Sequence, residues 1–161
     1  MTPKCIPLLF IALAWTASVT AGKNNWFDLH NTARIGNLTN IEYLATIKSF
    51  CVDARDPDDW TALHVAAWYN QADIVELLLE YDANVNARTK LDWTPLHCAV
   101  LRNSIDCVRI LIANGADVLA RTKRENTPLS LALEKDCTSI IAYLKPFVIY
   151  SNFNPKSTNQ N

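Results

Sequence analysis

One phrase recurs three times in the chain, as Trp60-Thr-Ala-Leu-His-Val-Ala-Ala67, Trp93-Thr-Pro-Leu-His-Cys-Ala-Val100 and Asn126-Thr-Pro-Leu-Ser-Leu-Ala-Leu133. The threonines that open it, Thr61, Thr94 and Thr127, lie 33 residues apart. A fixed period of about this length is typical of a stacked solenoid, in which each unit packs mainly on its neighbours. The period therefore predicts a solenoid, an architecture that presents a binding surface far more often than a catalytic centre.

The phrase resembles the opening of an ankyrin repeat, which reads Thr-Pro-Leu-His-x-Ala-Ala and leads into a second helix and a Gly-Ala-Asp-Val-Asn-Ala loop. The corresponding second helices are Asp73–Leu79 and Asp106–Ile112, and the loops are Ala83–Arg88 and Ala116–Arg121. A degenerate unit one period earlier pairs Ala33 with Ala66, Ile41 with Ile74, Leu44 with Leu77, and Val52–Arg55 with Val85–Arg88. The resemblance covers about residues 26–147.

The resemblance implies an all-α fold, a short ankyrin-type helical solenoid of stacked helix-turn-helix repeats joined by hairpin loops. It divides the chain into a degenerate N-terminal capping repeat at 22–57, ankyrin repeats at 58–90 and 91–123, and a C-terminal capping repeat at 124–150. Residues 151–161 are rich in Asn, Ser, Lys and Pro and lack apolar periodicity, so they are predicted to form a disordered tail.

Helix starts and an apolar face follow from the residues of each unit. Thr61 and Thr94 are suited to cap the first helix, and Pro95 fits a first turn that needs no amide hydrogen. The run around Leu78 gives the second helix an apolar face at helical spacing. One unit cannot bury that face alone, so each repeat depends on its neighbour.

The hairpins depart from the family pattern, which has Gly two residues before the Thr. Asp59, Asp92 and Glu125 stand there instead, in a position where a positive φ is expected. Because Glu tolerates that conformation poorly, the last hairpin is predicted to be the weakest. Ser130 replaces the histidine of the phrase, a change that suits a terminal repeat with water on one side.

The N-terminus predicts export. Lys4 precedes an apolar run from Cys5 to Val19, and the small residues that follow suit cleavage after Ala21 or Gly22, so residues 1–21 are interpreted as a signal peptide. The alternative is an uncleaved anchor, although the run is shorter than the roughly 20 residues of a spanning helix. We expect no stable membrane insertion after cleavage. Asn37-Leu38-Thr39 is the only glycosylation sequon in the chain.

Cysteine and histidine are read as structural. Four cysteines remain after the predicted cleavage, and their places in the repeats favour free thiols over a disulfide framework: Cys51, Cys98, Cys107 and Cys137. Cys98 and Cys107 replace apolar residues of the neighbouring repeat. His64 and His97 belong to the repeat phrase, so their imidazoles are expected to bond loop backbone rather than a metal.

No motif supports catalysis. The chain has no Gly-rich phosphate loop, nucleophile elbow or metal motif, so we predict neither an enzyme nor a cofactor. The acidic stretch Asp53–Asp59 lacks the ordered spacing of a calcium loop and is interpreted as turn chemistry. A formal net charge of −1 gives no basic field of the kind that binds nucleic acid.

The resemblance implies a concave groove lined by hairpin tips and first helices. Mapped onto this chain, the predicted partner-binding residues are Trp60, Trp68, Tyr69, Arg88, Trp93, Leu101, Arg102, Glu134 and Lys135. The four aromatic residues are expected to form one cluster flanked by Arg88 and Arg102. Trp60 and Trp93 could equally shield the hairpins, whereas Trp68 and Tyr69 are expected to be accessible and off the core face.

These observations predict a secreted, non-enzymatic, monomeric module that binds another protein through its groove. One alternative is an exported effector or venom-type component that acts on a host or prey cell. A membrane-tethered scaffold is the other alternative, if the signal is not cleaved.

Overall fold

The computed structural model describes residues 25–45 and 51–153, and within these ranges the chain forms eight helices and no strand. The helices are α1 (Asn25–Ile35), α2 (Leu38–Ala45), α3 (Ala62–Trp68), α4 (Ala72–Glu80), α5 (Pro95–Leu101), α6 (Ile105–Ala113), α7 (Pro128–Glu134) and α8 (Thr138–Phe153). The predicted all-α solenoid is therefore confirmed. The predicted signal peptide at 1–21 lies outside the described residues.

The helices form two rows. In the first row α1, α3, α5 and α7 each contact the next, and in the second row α2, α4, α6 and α8 do the same. Ala66, Ala67 and Ala99 are buried in the first row, and their short side chains let these helices approach closely.

Each repeated phrase begins a helix, as the sequence predicts. Thr61, Thr94 and Thr127 take extended backbone conformations at the N-cap, and helix begins at the next residue. Proline occupies that first helical position in α5 and α7. The predicted capping role of the threonines is thus placed where the unpaired amides of a helix start need it.

The residues expected to have positive φ in the hairpins do so. Asp59, Asp92 and Glu125 have φ values of 61°, 59° and 60°. A second set, at the turn between the two helices of each unit, was not anticipated: Gly36, Asn70, Asn103 and Asp136 also have positive φ. Asparagine and aspartate tolerate this left-handed region better than most residues, which suits them to these turns.

The first unit keeps more of the repeat than its sequence suggests. The predicted register of its first helix is wrong by one residue, whereas Arg55 matches Arg88 in the hairpin as predicted. His30 Nε2 lies 2.9 Å from the carbonyl of Trp60, just as His64 Nε2 lies 3.0 Å from the carbonyl of Trp93. Leu29 is buried as Leu63 is, and Gly36 turns the chain as Asn70 does. These pairs are 34 residues apart, so Ala33 corresponds to Ala67 rather than to Ala66.

The core lies between the two rows. Ile74, Val75 and Leu78 of α4 are fully buried, whereas Leu77 and Leu79 are only partly buried. Cys98 and Cys107 are also fully buried, which confirms that they serve as small core residues.

At the C-terminus the second row ends with its longest helix. Ile140 and Leu144 anchor α8 in the core, but Ile149 and Tyr150 project outward with more than half of their surface exposed. The helix continues to Phe153, three residues into the stretch predicted to be a disordered tail. The rest of that stretch lies outside the described residues.

Candidate functional site

Trp68 and Tyr69 form a ridge at the C-terminal end of α3, between two depressions of the surface. The Trp68 ring meets the Trp60 ring edge-on at a centroid distance of 5.8 Å. Arg102, one repeat further on, places its guanidinium carbon 5.1 Å from the centre of the Trp68 ring. Its Nε also donates a hydrogen bond of 3.2 Å to the Trp68 carbonyl. The predicted pairing of Arg102 with this aromatic ridge is thus present.

The two aromatic residues differ in exposure, and one expectation needs correction. Tyr69 is 46% exposed, as a contact residue should be. Trp68 is only partly exposed and packs against the core, held between Trp60 and Arg102. The indole therefore stabilises the stack as well as contributing to the surface, so the expectation that it lies off the core face is wrong.

A depression of about 430 Å³ opens on one side of this ridge. It is lined by Trp68, Tyr69, Asn70, Leu101, Arg102, Asn103, Lys135 and Cys137, which come from three successive repeats. Five of the predicted contact residues meet here: Trp68, Tyr69, Leu101, Arg102 and Lys135. Glu134 is exposed at its edge and lies 3.4 Å from the ammonium of Lys135. The surface combines an aromatic wall with two cationic side chains.

A second depression, of about 450 Å³, lies on the other side of the ridge and extends the groove towards the N-terminal unit. It is lined by Phe27, His30, Asn31, Arg34, Asp56, Trp60, Val65, Trp68 and Tyr69. The sequence analysis does not include the residues of α1, because the predicted register of this first helix is wrong by one residue. The phrase Leu29-His30, matched to Leu63-His64 at a spacing of 34, is the signal that could have found them.

The hairpin tryptophans do not join a single aromatic cluster. Trp60 packs against Trp68, but the ring contact of Trp93 is with His97, at a centroid distance of 6.0 Å. Trp60 makes the equivalent contact with His64 at 5.7 Å. Both indoles cover the buried histidine of their own repeat, in keeping with the alternative that they shield the hairpins. The expectation of one four-membered cluster is wrong.

Arg88 links repeats instead of flanking the ridge. Its Nη1 donates a hydrogen bond of 3.0 Å to the carbonyl of Arg121, and Arg55 makes the same bond of 2.7 Å to the carbonyl of Arg88. Lys90 and Lys123 donate their backbone amides to the tip before them, to Asp58 and Leu91. The tips are therefore joined into one row, and Arg88 is a structural member of it.

The histidines of the phrase join consecutive repeats. The backbone amide of Thr61 donates to Nδ1 of His64, so the other ring nitrogen, Nε2, carries the proton and donates to the Trp93 carbonyl. His97 repeats this arrangement with Thr94 and with the carbonyl of Asn126. The prediction that these imidazoles bond loop backbone is confirmed.

Burial keeps these rings neutral. Desolvation lowers the pKa of His64 from 6.5 to about 4, although its bond to the Trp93 carbonyl opposes the shift. Desolvation also lowers the pKa of His97. A proton on Nδ1 would face the donating amide of the threonine, so the charged form also loses a hydrogen bond.

Burial makes Cys98 and Cys107 structural rather than reactive. The four in the described residues are free thiols, and Cys51 alone among them is exposed. Burial raises the pKa of Cys107 to about 11 and also raises that of Cys98, so both remain protonated and unreactive. No group of His, Cys, Asp and Glu in the described ranges could hold a metal ion. In the acidic hairpin, Asp56 Oδ1 accepts the amides of Asp58 and Trp60, which is turn chemistry.

The repeats match the family model for ankyrin repeats (3 copies) over residues 4–89 and 85–157. The chain belongs to the ankyrin-repeat family. Ankyrin repeats generally mediate protein–protein interaction and are typically non-enzymatic. No curated protein matches the chain in sequence. Between residues 25 and 45 and between 51 and 153, no helix is long and apolar enough to cross a membrane.

Proposed function

We propose that this ankyrin stack binds a partner protein through the groove on either side of the Trp68–Tyr69 ridge. The observation that carries the proposal is the exposed Tyr69 ring, which borders both depressions and has Arg102 nearby. Tyrosine, tryptophan and arginine dominate the energetics of protein interfaces, and anchor residues lie near the centre of the contact area. Tyr69 is surrounded by residues of these types and lies between the two depressions.

The charge of the hairpin row suggests how a partner is oriented. The first tip, at residues 55–59, carries three aspartates and one arginine, whereas the last tip, at 121–125, carries three basic residues and one glutamate. Arg121 pairs with Glu125 at 2.8 Å, whereas Lys123 and Arg124 form no ion pair within the part of the chain that the structure describes. A partner that is basic towards the N-terminal end of the stack and acidic towards the C-terminal end complements this gradient.

The test compares two tyrosines that differ in position. Tyr69→Ala should weaken binding by about 2 kcal/mol or more, because truncation removes a central aromatic anchor. Tyr150→Ala removes a more exposed ring from α8, which lines neither depression, and should leave affinity unchanged. The partner is first captured from native extracellular fluid with the wild-type chain, and affinities are then measured by calorimetry with the purified pair.

Stability measurements separate the binding role from a folding role. Tyr69→Ala should lower the free energy of unfolding by less than about 0.5 kcal/mol, as expected for an exposed side chain. Leu78→Ala should lower it by about 2–5 kcal/mol through a core cavity. Equal affinity of wild type and Tyr69→Ala for the captured partner would remove the support for this groove.

We further propose that the protein is exported, because residues 1–21 have the charged start, apolar run and small residues of a signal peptide. The family match begins at residue 4, so the same segment could instead extend the N-terminal repeat. Sequencing the N-terminus of the protein recovered from medium decides between them. A mature chain that starts at residue 22 or 23 supports export, and a cell-retained, full-length chain contradicts it.

The host-directed effector and the tethered scaffold differ from this proposal in where the partner is found. Capture from host-cell extract but not from extracellular fluid would favour the effector. Recovery of the full-length chain in the membrane fraction would favour the scaffold.

A further inference from the structure

The turn between α1 and α2 carries the sequon Asn37-Leu38-Thr39, the only one in the chain. We infer that Asn37 is a site of N-linked glycosylation, an inference that rests on the proposed export. The sequon motif by itself is weak evidence, because many such triplets are buried or engaged in folded proteins. The geometry of this turn supplies what the motif alone lacks.

The side chain of Asn37 uses one of its two polar atoms for the fold. Its Oδ1 accepts a hydrogen bond of 2.8 Å from the hydroxyl of Thr39 and one of 3.2 Å from the backbone amide of Asn40. The second bond satisfies one of the unpaired amides at the start of α2, so Asn37 acts as its N-cap. Within the described residues, no hydrogen bond engages Nδ2.

The nitrogen that a glycan needs is therefore the one that the fold does not use. Asn37 is partly exposed, and Thr39 is exposed beside it. Because Oδ1 and Nδ2 diverge from the same carbon atom, the hydrogen bonds to Oδ1 leave Nδ2 unengaged within the described residues. The hydroxyl of Thr39, which the sequon requires, already lies against the Asn37 amide.

Modification at this nitrogen preserves the cap. In the transfer, Nδ2 attacks the anomeric carbon of a lipid-diphosphate-linked oligosaccharide, the carbon–oxygen bond to the lipid diphosphate breaks, and Nδ2 loses a proton. The product is a secondary amide that keeps Oδ1 as a carbonyl acceptor. The hydrogen bonds to Thr39 and Asn40 can therefore persist in the glycosylated protein.

A glycan here would leave the proposed binding surface open. Asn37 lines neither depression of the groove, although Arg34, three residues earlier, lines the second. Asn37 follows Gly36, whose backbone turns with a φ of 81° beside the Gln71 side chain of the next repeat. The site thus lies in the inter-helix turn of the first unit, and the three later units carry Gln71, Ser104 and Cys137 at the corresponding position.

The experiment expresses the full chain in eukaryotic secretory cells and compares its gel mobility before and after treatment with an N-glycan-cleaving amidase. Wild type should shift to a smaller apparent mass on treatment. Asn37→Asp should show no shift, yet should fold, because a carboxylate oxygen can accept the same cap hydrogen bonds. Thr39→Ala should also lose the shift, and Thr39→Ser, which keeps the hydroxyl, should retain it.

A second arm keeps the inference separate from the export proposal. The full chain is also expressed behind a signal peptide of established function. Secreted wild type that migrates with Asn37→Asp in this arm would overturn the glycosylation site. A shift that appears only in this arm would uphold the site and overturn export by the chain's own N-terminus.

Discussion

The interior repeats and the last repeat differ in the hydrogen bonds made by the side chain at the third position of the first helix. In the interior, His64 and His97 extend from the helix start to the backbone carbonyl of the following hairpin, and His30 does so in the first unit. In the last repeat, Ser130 keeps all of its hydrogen bonds within its own unit, where Oγ accepts from the Thr127 amide and donates to the Thr127 carbonyl.

This difference shows how one side chain can decide whether a repeat is linked to the next. An imidazole has two nitrogens on opposite sides of a ring, so it can cap its own helix and still reach the next unit. A hydroxyl is too short to do both, and it satisfies the helix start without requiring a neighbour. The series of histidine links therefore stops at Ser130, which makes these hydrogen bonds within its own repeat.

The largest expected effect comes from removing the histidine that joins one repeat to the next, a contact called here the forward link. The matched variant removes Ser130 from the last repeat. His97→Ala should lower the free energy of unfolding by about 3 kcal/mol, because it leaves a cavity and buried polar groups without partners. Ser130→Ala should cost about 1 kcal/mol or less, as expected for part of a helix cap. Urea denaturation of both variants measures the difference, and similar losses would show that the forward link adds nothing.

Acid should weaken the interior links selectively. The unfolded His64 imidazole binds a proton as the pH falls through 6.5, but the folded one resists until about pH 4. The free energy of unfolding therefore falls as the pH is lowered from 6.5 to about 4, by about 3 kcal/mol in total. His64→Gln removes this titration, so its free energy of unfolding should depend less on pH over the same interval. Identical pH dependence of the two proteins would contradict the prediction.

Substitutions in the hairpins are expected to change stability less than those at the histidines. Glu125→Gly should raise the free energy of unfolding by about 1 kcal/mol, because glycine adopts the observed φ of 60° without the steric cost of a side chain. The exposed ion pair between Arg121 and Glu125 is lost in this variant, but such pairs contribute little. Asp92→Gly is the matched control and should gain less, since aspartate tolerates this region better. A loss of stability in Glu125→Gly would show that the last hairpin is not strained.

The repeated phrase made much of the fold predictable. Thr61, Thr94 and Thr127 marked the helix starts, and a position that family members fill with glycine marked the positive φ of Asp59 and its equivalents. The approach of Arg102 to Trp68 was also predictable, because a period of 33 places them at the ends of neighbouring helices of one row.

The register of α1, the burial of Trp68 and the contact of Arg88 could not be predicted from the repeat period. Leu29-His30 lacks the preceding Thr-Pro, so a match at 33 residues displaces the first helix by one residue, and the second depression is not predicted. The partial burial of Trp68 and the bond from Arg88 to the next tip depend on side-chain direction, which repeat position alone does not fix. Those contacts are therefore visible only in the three-dimensional structure.

The most direct test of the forward link is nitrogen NMR of the histidine rings in the folded protein. At pH 7 the account predicts that His64 and His97 are neutral with the proton on Nε2, and that the His64 signals remain unchanged down to about pH 5. An exposed histidine in a peptide would titrate near pH 6.5 in the same experiment. If His64 titrates near pH 6.5, or carries its proton on Nδ1, the buried link between repeats does not exist as described.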